Sequence, residues 1–227
     1  MNQTFDRTAV PPVPSASTVS LVPTPDAAEL RAPVADCRGA VPTLTGGGVT
    51  LREVQLADAP SLYALLTEED VARFISPPPP TVEGFERFVR WAQQERAGGR
   101  YICFAVIPEG APSAIGIFQL RAMDPGFETA EWGFAIGQGF WGTGVFVAGA
   151  TVLLDFAVDV IGVHRLEARA AVVNGRGNGA LRKIGAVCEG VLRRAFERHG
   201  RHFDQMLWSI LAEEWRWQRG SGQARVH

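Results

Sequence analysis

Apolar positions recur at two different periods along this chain, and the changes of period mark its elements. Residues 49–54 alternate enough to predict a first strand. Asp58, Ala59 and Pro60 then carry a helix start, with Asp58 as N-cap and Pro60 in the first turn, and Leu62, Tyr63, Leu65 and Leu66 supply the apolar stripe. A short helix is predicted over 70–75, ended by the proline run Pro77 to Pro80. Thr81 opens a longer helix reaching about Arg96, with Phe85, Phe88, Val89 and Ala92 on one side. Three strand-like runs follow, at 101–107, 114–121 and 129–136, the first two separated by the turn at Pro108 to Pro112. Between Gly137 and Gly144 the glycines are too dense for a helix interior. From Val145 to Ile161 the spacing is helical, proline is absent, and Gly162 stands where a C-cap glycine belongs. Residues 164–173 read as a strand, 180–186 as a helix, and 188–197 with 202–211 as a hairpin around His199 and Gly200. Glu213 begins a short closing helix.

Antiparallel strands first, then a helical crossover, then a terminal hairpin imply an α+β fold. The expected architecture is one mixed, mostly antiparallel sheet with helices on both faces. Residues 48–218 form this domain. Residues 1–47 differ in kind: Pro11, Pro12, Pro14, Pro23, Pro25, Pro33 and Pro42 are mixed with Ala, Val, Thr and Ser, and no period survives. Such a segment buries too little apolar surface to offset its ordering, so a disordered tail is expected. A frayed end is expected over 219–227.

Composition narrows the function classes. With 46% hydrophobic and 20% charged residues among 227, the chain can bury a sizeable core. A formal charge of −2 gives no reason to expect a nucleic-acid partner. Cys37, Cys103 and Cys188 are odd in number and widely spaced, which fits a reducing compartment and no disulfide framework. Cys103, flanked by apolar residues, reads as an inert buried thiol. No His and Cys spacing resembles a metal site, no apolar run reaches membrane-spanning length, and the start of the chain is not a signal peptide. A cytoplasmic protein without metal or membrane partner is expected.

The stretch from Thr129 to Asn174 carries the chemistry. Strand, glycine turn, helix and strand form a unit suited to anions, because glycine lets the backbone approach a ligand and the first helical N–H groups lack partners. The helix dipole adds roughly half a positive charge there. No Lys or Arg occurs between Met123 and Asp159, so an anion at this turn is expected to be held by backbone. Read literally, Gly137-x-Gly139-x-x-Gly142 also matches the dinucleotide fingerprint. That motif expects an acidic residue at the end of the next strand, whereas Glu167 falls inside it, and no further βαβ repeats follow. With 25 glycines in the chain, chance matches are common.

Trp141-Gly142-Thr143-Gly144-Val145-Phe146 resembles the acyl-CoA pyrophosphate loop of the GNAT acetyltransferase superfamily, Gln/Arg-x-x-Gly-x-Gly/Ala. The run from Gly162 to Ala168 is similar to the strand entry of its ribosomal-protein N-acetyltransferase branch, the RimJ/RimL type. Asn174-Gly175-Arg176-Gly177 resembles that branch's Asn-x-x-Ser turn, and Ala180 to Ala186 with Glu189 to Arg193 its following helix and strand. The resemblance covers about Val49 to Trp215. Trp141 stands where Gln or Arg is usual, Phe146 where Gly or Ala is usual, and Gly177 where Ser is usual.

The resemblance implies an acetyl-CoA-dependent N-acetyltransferase acting on a primary amine, either a protein N-terminal α-amine or a small molecule, as a monomer or homodimer. It implies that Phe134, Ala135 and Ile136 hold pantetheine through backbone, and that Trp141, Gly142, Thr143, Gly144, Val145 and Phe146 surround the pyrophosphate. Glu131 matches a frequent glutamate of this branch and is the candidate base, a lone carboxylate on an apolar strand whose desolvation would favour proton uptake. The other reading of Glu131 is a structural glutamate bound to backbone or an arginine. Asn174 is the second polar candidate, orienting cofactor or a water, or else simply ending a strand. No Tyr follows Tyr101 to serve as an acid for the thiolate. A GNAT-fold protein that binds acyl-CoA, or serves in interactions, without turnover is the alternative.

Overall fold

The computed structural model describes residues 37–223 apart from residue 199. Eight strands form one sheet: β1 (Leu44–Gly46), β2 (Val49–Glu53), β3 (Tyr101–Pro108), β4 (Gly116–Ala122), β5 (Thr129–Ile136), β6 (Arg165–Ala171), β7 (Val187–Arg198) and β8 (Arg201–Leu211). Their order is β1-β2-β3-β4-β5-β6-β8-β7. Every neighbouring pair is antiparallel except β5 and β6. A parallel pair cannot be closed by a hairpin and needs a crossover, which α4 (Val145–Asp155) supplies together with a π-helical extension, Phe156–Ile161.

Each face of the sheet buries its own apolar layer. On the α4 face, Phe104, Phe118, Leu120, Leu153, Leu154 and Leu166 are sealed from solvent. The opposite face of β3 and β4 is covered by α1 (Ala59–Leu66), α2 (Glu69–Ala72) and α3 (Val82–Ala97), which bury Leu62, Leu66, Phe85 and Val89 against Cys103 and Ala105. The thiol of Cys103 is wholly enclosed, and burial raises its pKa. Thr81 caps α3 as its sequence indicates, its hydroxyl accepting from the Gly84 N–H at 3.0 Å.

Four boundaries differ from the sequence expectation. The expected tail over 1–47 falls largely on residues outside those described, but β1 lies on the tail side of that boundary and pairs with β2 through Leu44 and Leu51. Gly47 and Gly48 turn between them at φ +59° and +76°. Asp58 sits at the N-cap position of α1 but does not cap it; its buried carboxylate takes the Arg52 guanidinium at 2.7 and 2.8 Å and the Gln55 N–H at 2.8 Å. The helix expected over 180–186 is α5 (Gly175–Lys183), beginning five residues earlier despite three glycines. The closing helix, α6 (Ala212–Gln223), runs past residue 219, where fraying was expected.

Candidate active site

The geometry begins at the one parallel junction. β5 and β6 are in register only at Thr129 with Arg165, Ala130 with Leu166, and Glu131 with Glu167. Beyond Glu131 they part, while β5 stays paired with β4 as far as Ile136. The β5 backbone over residues 132–136 therefore has a sheet partner on one side only. Open strand edges are uncommon because unpaired backbone groups are costly to bury. Here the edge faces a cavity of about 690 Å³.

Phe134, Ala135 and Ile136 form one wall of that cavity. Next to them lies the glycine turn, where Gly142 and Gly144 have φ of +78° and +90°, left-handed values that disfavour any side chain. A Cβ built on Gly139, Gly142 or Gly144 meets nothing within 4 Å, so the turn leaves space for a ligand to approach. Gly144 is the N-cap of α4, whose first N–H groups lack intrahelical acceptors. Thr143 points back into the turn, its hydroxyl donating to the Phe140 carbonyl at 2.8 Å. Trp141 closes the turn against the strand: its Nε1–H donates to the Ile136 carbonyl at 2.8 Å. Phe146 packs on Phe134, with ring centroids 4.4 Å apart, and on Phe118, for which Gly149 of α4 leaves room.

The far wall is α5. Asn174 is its N-cap, with Oδ1 accepting the Gly177 N–H at 2.8 Å. A Cβ on Gly177 would come within 2.5 Å of the Asn174 amide, which explains glycine at this position. The sequence gave no weight to Asn178, yet it anchors the helix. Its buried amide donates to the Ala171 and Asn174 carbonyls, both at 2.9 Å, and accepts the Trp208 indole N–H at 2.9 Å. The start of α5 is thereby pinned to the end of β6 and to β8. Arg176, Lys183, Arg73 and Asp70 also line the cavity.

On the sheet face that carries Glu131, charged side chains form a ladder. Glu131 accepts from Arg121 and, at 2.8 Å, from Arg169. Arg169 reaches Glu167 at 3.3 Å, Glu167 takes Arg165 at 2.9 Å, and Arg165 meets Glu189 at 2.6 and 2.7 Å. Ser209 donates to Glu189 at 2.6 Å. The Arg165 guanidinium, and after it the Ser209 hydroxyl, hold the Glu189 carboxyl down at about 2.

A sequence profile described as the acetyltransferase (GNAT) domain matches residues 49–187. The chain belongs to the GNAT acetyltransferases. It is 25% identical over 174 residues to the uncharacterized N-acetyltransferase p20 of Bacillus licheniformis, covering 76% of this chain and 98% of the relative. The RimJ of Mycobacterium smegmatis, solved in complex with CoA-disulfide, superposes with a TM-score of 0.69 at 22% identity, over 77% of this chain and 88% of that one. The ribosomal-protein-S5-alanine acetyltransferase of Vibrio fischeri gives 0.68 at 18% identity, over 77% and 99%. The mixed eight-stranded sheet is the GNAT fold.

Within this GNAT domain the expected residues divide. Phe134, Ala135, Ile136, Trp141, Gly142, Gly144, Phe146 and Asn174 line one cavity. Val145 and Thr143 adjoin it without being among its lining residues. Glu131 is not among them either; both of its oxygens are engaged by arginines, the structural reading of that residue. The expectation that backbone alone would hold an anion misses the cations brought to the cavity by α5 and by the segment after α2. Nothing in local sequence flags them, since Arg176 lies 35 residues beyond Trp141. Among the described residues, no three His, Cys, Asp or Glu side chains are grouped to hold a metal, and no helix is long and apolar enough to cross a membrane.

Proposed function

We propose that this chain transfers an acetyl group from acetyl-CoA to a primary amine, either a protein α-amine or a small-molecule amine, by direct attack within a ternary complex. The observation that carries this reading is the early parting of β5 from β6 at Glu131, which turns the Phe134–Ala135–Ile136 backbone edge toward the cavity beside the glycine turn. That edge would hold the pantetheine amides, and a backbone N–H there would polarise the thioester carbonyl. The turn and the first N–H groups of α4 would hold the pyrophosphate. When bound, acetyl-CoA supplies the activated acyl group; the protein's part is to align the amine with it and to provide donors for the developing oxyanion.

Proton removal needs little strength for the right acceptor. Neutralising an α-amine of pKa near 8 at pH 7 takes about 1 kcal/mol, against about 4.6 kcal/mol for a lysine near 10.4. An α-amine therefore suits a site with no tyrosine on its wall. Of the two carboxylates in question, Asp70 lines the cavity and Glu131 belongs to the ladder, so the base role falls better to Asp70. Asp70→Asn is expected to slow turnover by about tenfold or more with CoA affinity unchanged. A slowing on Glu131→Gln instead would return the base to the ladder.

The test of the whole reading is a thermal-shift and calorimetric titration with acetyl-CoA, with NADH in parallel, followed by thiol release over a panel of peptide and small amines. At 100 times its Kd acetyl-CoA should add about 2.7 kcal/mol of stability, and thiol release should depend on the amine. Stabilisation by NADH alone would sink the acyl-CoA reading. Saturable CoA binding with no acceptor-dependent thiol would leave a binding protein without turnover.

A further inference from the structure

The loop of this site lacks the usual Gln or Arg side chain at residue 141, and the structure holds an arginine against the residue that replaced it. The Arg176 guanidinium lies over the Trp141 indole, 3.9 Å from the ring centroid. Trp141 is itself fixed by its hydrogen bond to the Ile136 carbonyl, and both side chains line the cavity. Among the described residues Arg176 has no carboxylate partner, and neither has Lys183. Lys183 stands seven residues further along α5, about two turns, so the two cations share one face of that helix. Elsewhere, at Arg52, Arg96, Arg121, Arg165 and Arg169, the guanidiniums of this protein meet carboxylates.

We propose that Arg176 is the phosphate-binding cation of this site, displaced from the glycine loop to the first turn of α5 and seated on Trp141, with Lys183 as a second cation on the same face. The proposal rests on the acyl-CoA reading above. Stacking occupies the flat face of a guanidinium and leaves its in-plane N–H groups free, the edge that meets two phosphate oxygens at once. The ring also restrains a long side chain that would otherwise lose rotamer freedom on binding. Trp141 is then a positioning residue, acting through Arg176. The ligand chemistry is a phosphate ester of the CoA nucleotide, with the pyrophosphate and the 3′-phosphate as the two sources.

The test is calorimetric titration of the full chain with CoA and with 3′-dephospho-CoA, at low and high salt. Arg176→Gln is expected to weaken CoA binding about 10- to 100-fold and to flatten its salt dependence. Arg176→Lys should restore part of the loss, which a purely structural staple between loop and helix would not require. Trp141→Leu should weaken binding less, about three- to tenfold, and the double variant should be no worse than Arg176→Gln alone, because the ring acts through the arginine. An equal Arg176→Gln penalty with dephospho-CoA assigns the contact to the pyrophosphate; a penalty that vanishes with it assigns the 3′-phosphate. Wild-type protein that binds CoA alongside an Arg176→Gln variant within twofold of it would overturn this proposal alone. So would penalties for Trp141→Leu and Arg176→Gln that multiply in the double variant. Wild-type protein that binds no CoA would overturn the acyl-CoA reading together with it.

Discussion

Two groups of arginines in this protein are treated in opposite ways. In the ladder across β4, β5, β6 and β7, Arg121, Arg169 and Arg165 each meet carboxylates of Glu131, Glu167 or Glu189. At the cavity rim, Arg176 is held by an aromatic ring and has no carboxylate among the described residues. The difference separates charge used for architecture from charge kept available. A guanidinium already paired has little left to offer an anion, whereas one fixed by stacking keeps its donors exposed. It also recasts Glu131, whose isolation in sequence suggests a base while its partners make it one rung of a neutral network.

The comparison breaks most sharply at the rim. Gly144→Val puts a β-branched residue at φ +90° and a side chain into the approach to α4. CoA affinity should fall about 100-fold or more by calorimetry, with about 1–2 kcal/mol lost in thermal unfolding and the ladder untouched. Undiminished affinity would remove the turn from the binding site. A smaller effect of opposite kind is expected from Arg169→Met, which leaves Glu131 and Glu167 each short of one partner. Stability should fall by about 1–2 kcal/mol, less than for a fully buried pair because these groups are part-exposed. CoA affinity should stay within about twofold; a large affinity loss would join the two regions into one site.

The smallest expected effect is in pH. Glu189 is held near 2 in the folded state, below its usual value near 4.5. Between these values the unfolded chain binds the proton that the folded chain does not, so this contribution is present above about 4.5 and fades as pH falls toward 2. Denaturant melts across that range should fall with acid for the wild type and less steeply for Glu189→Gln. Parallel slopes would show that the end of the ladder carries no pH-dependent stability.

How much of this was legible in the sequence depended on how local each cause was. The meander, the Thr81 cap and the strand–turn–helix unit are written in neighbouring residues, and they stand where the pattern put them. The start of α5 was not, because Gly175, Gly177 and Gly179 read as a turn. What makes them helical is the Asn174 cap with the hold of Asn178 on Ala171 and Trp208, the latter 30 residues away. β1 was hidden by its brevity, three residues whose stability comes from pairing with β2. The partners of Glu131 and Asp58 were hidden likewise, since only sheet register brings Arg121 and Arg169 to the first, and only a turned-back side chain brings Arg52 to the second.

The three-residue seam between β5 and β6 has a kinetic consequence. The groove beside it exists because the strands have already diverged, so no sheet hydrogen bond must break for a ligand to enter. Filling it is an addition to a finished scaffold, and the rate of capture should follow ligand concentration linearly, without the plateau that a slow opening step would impose.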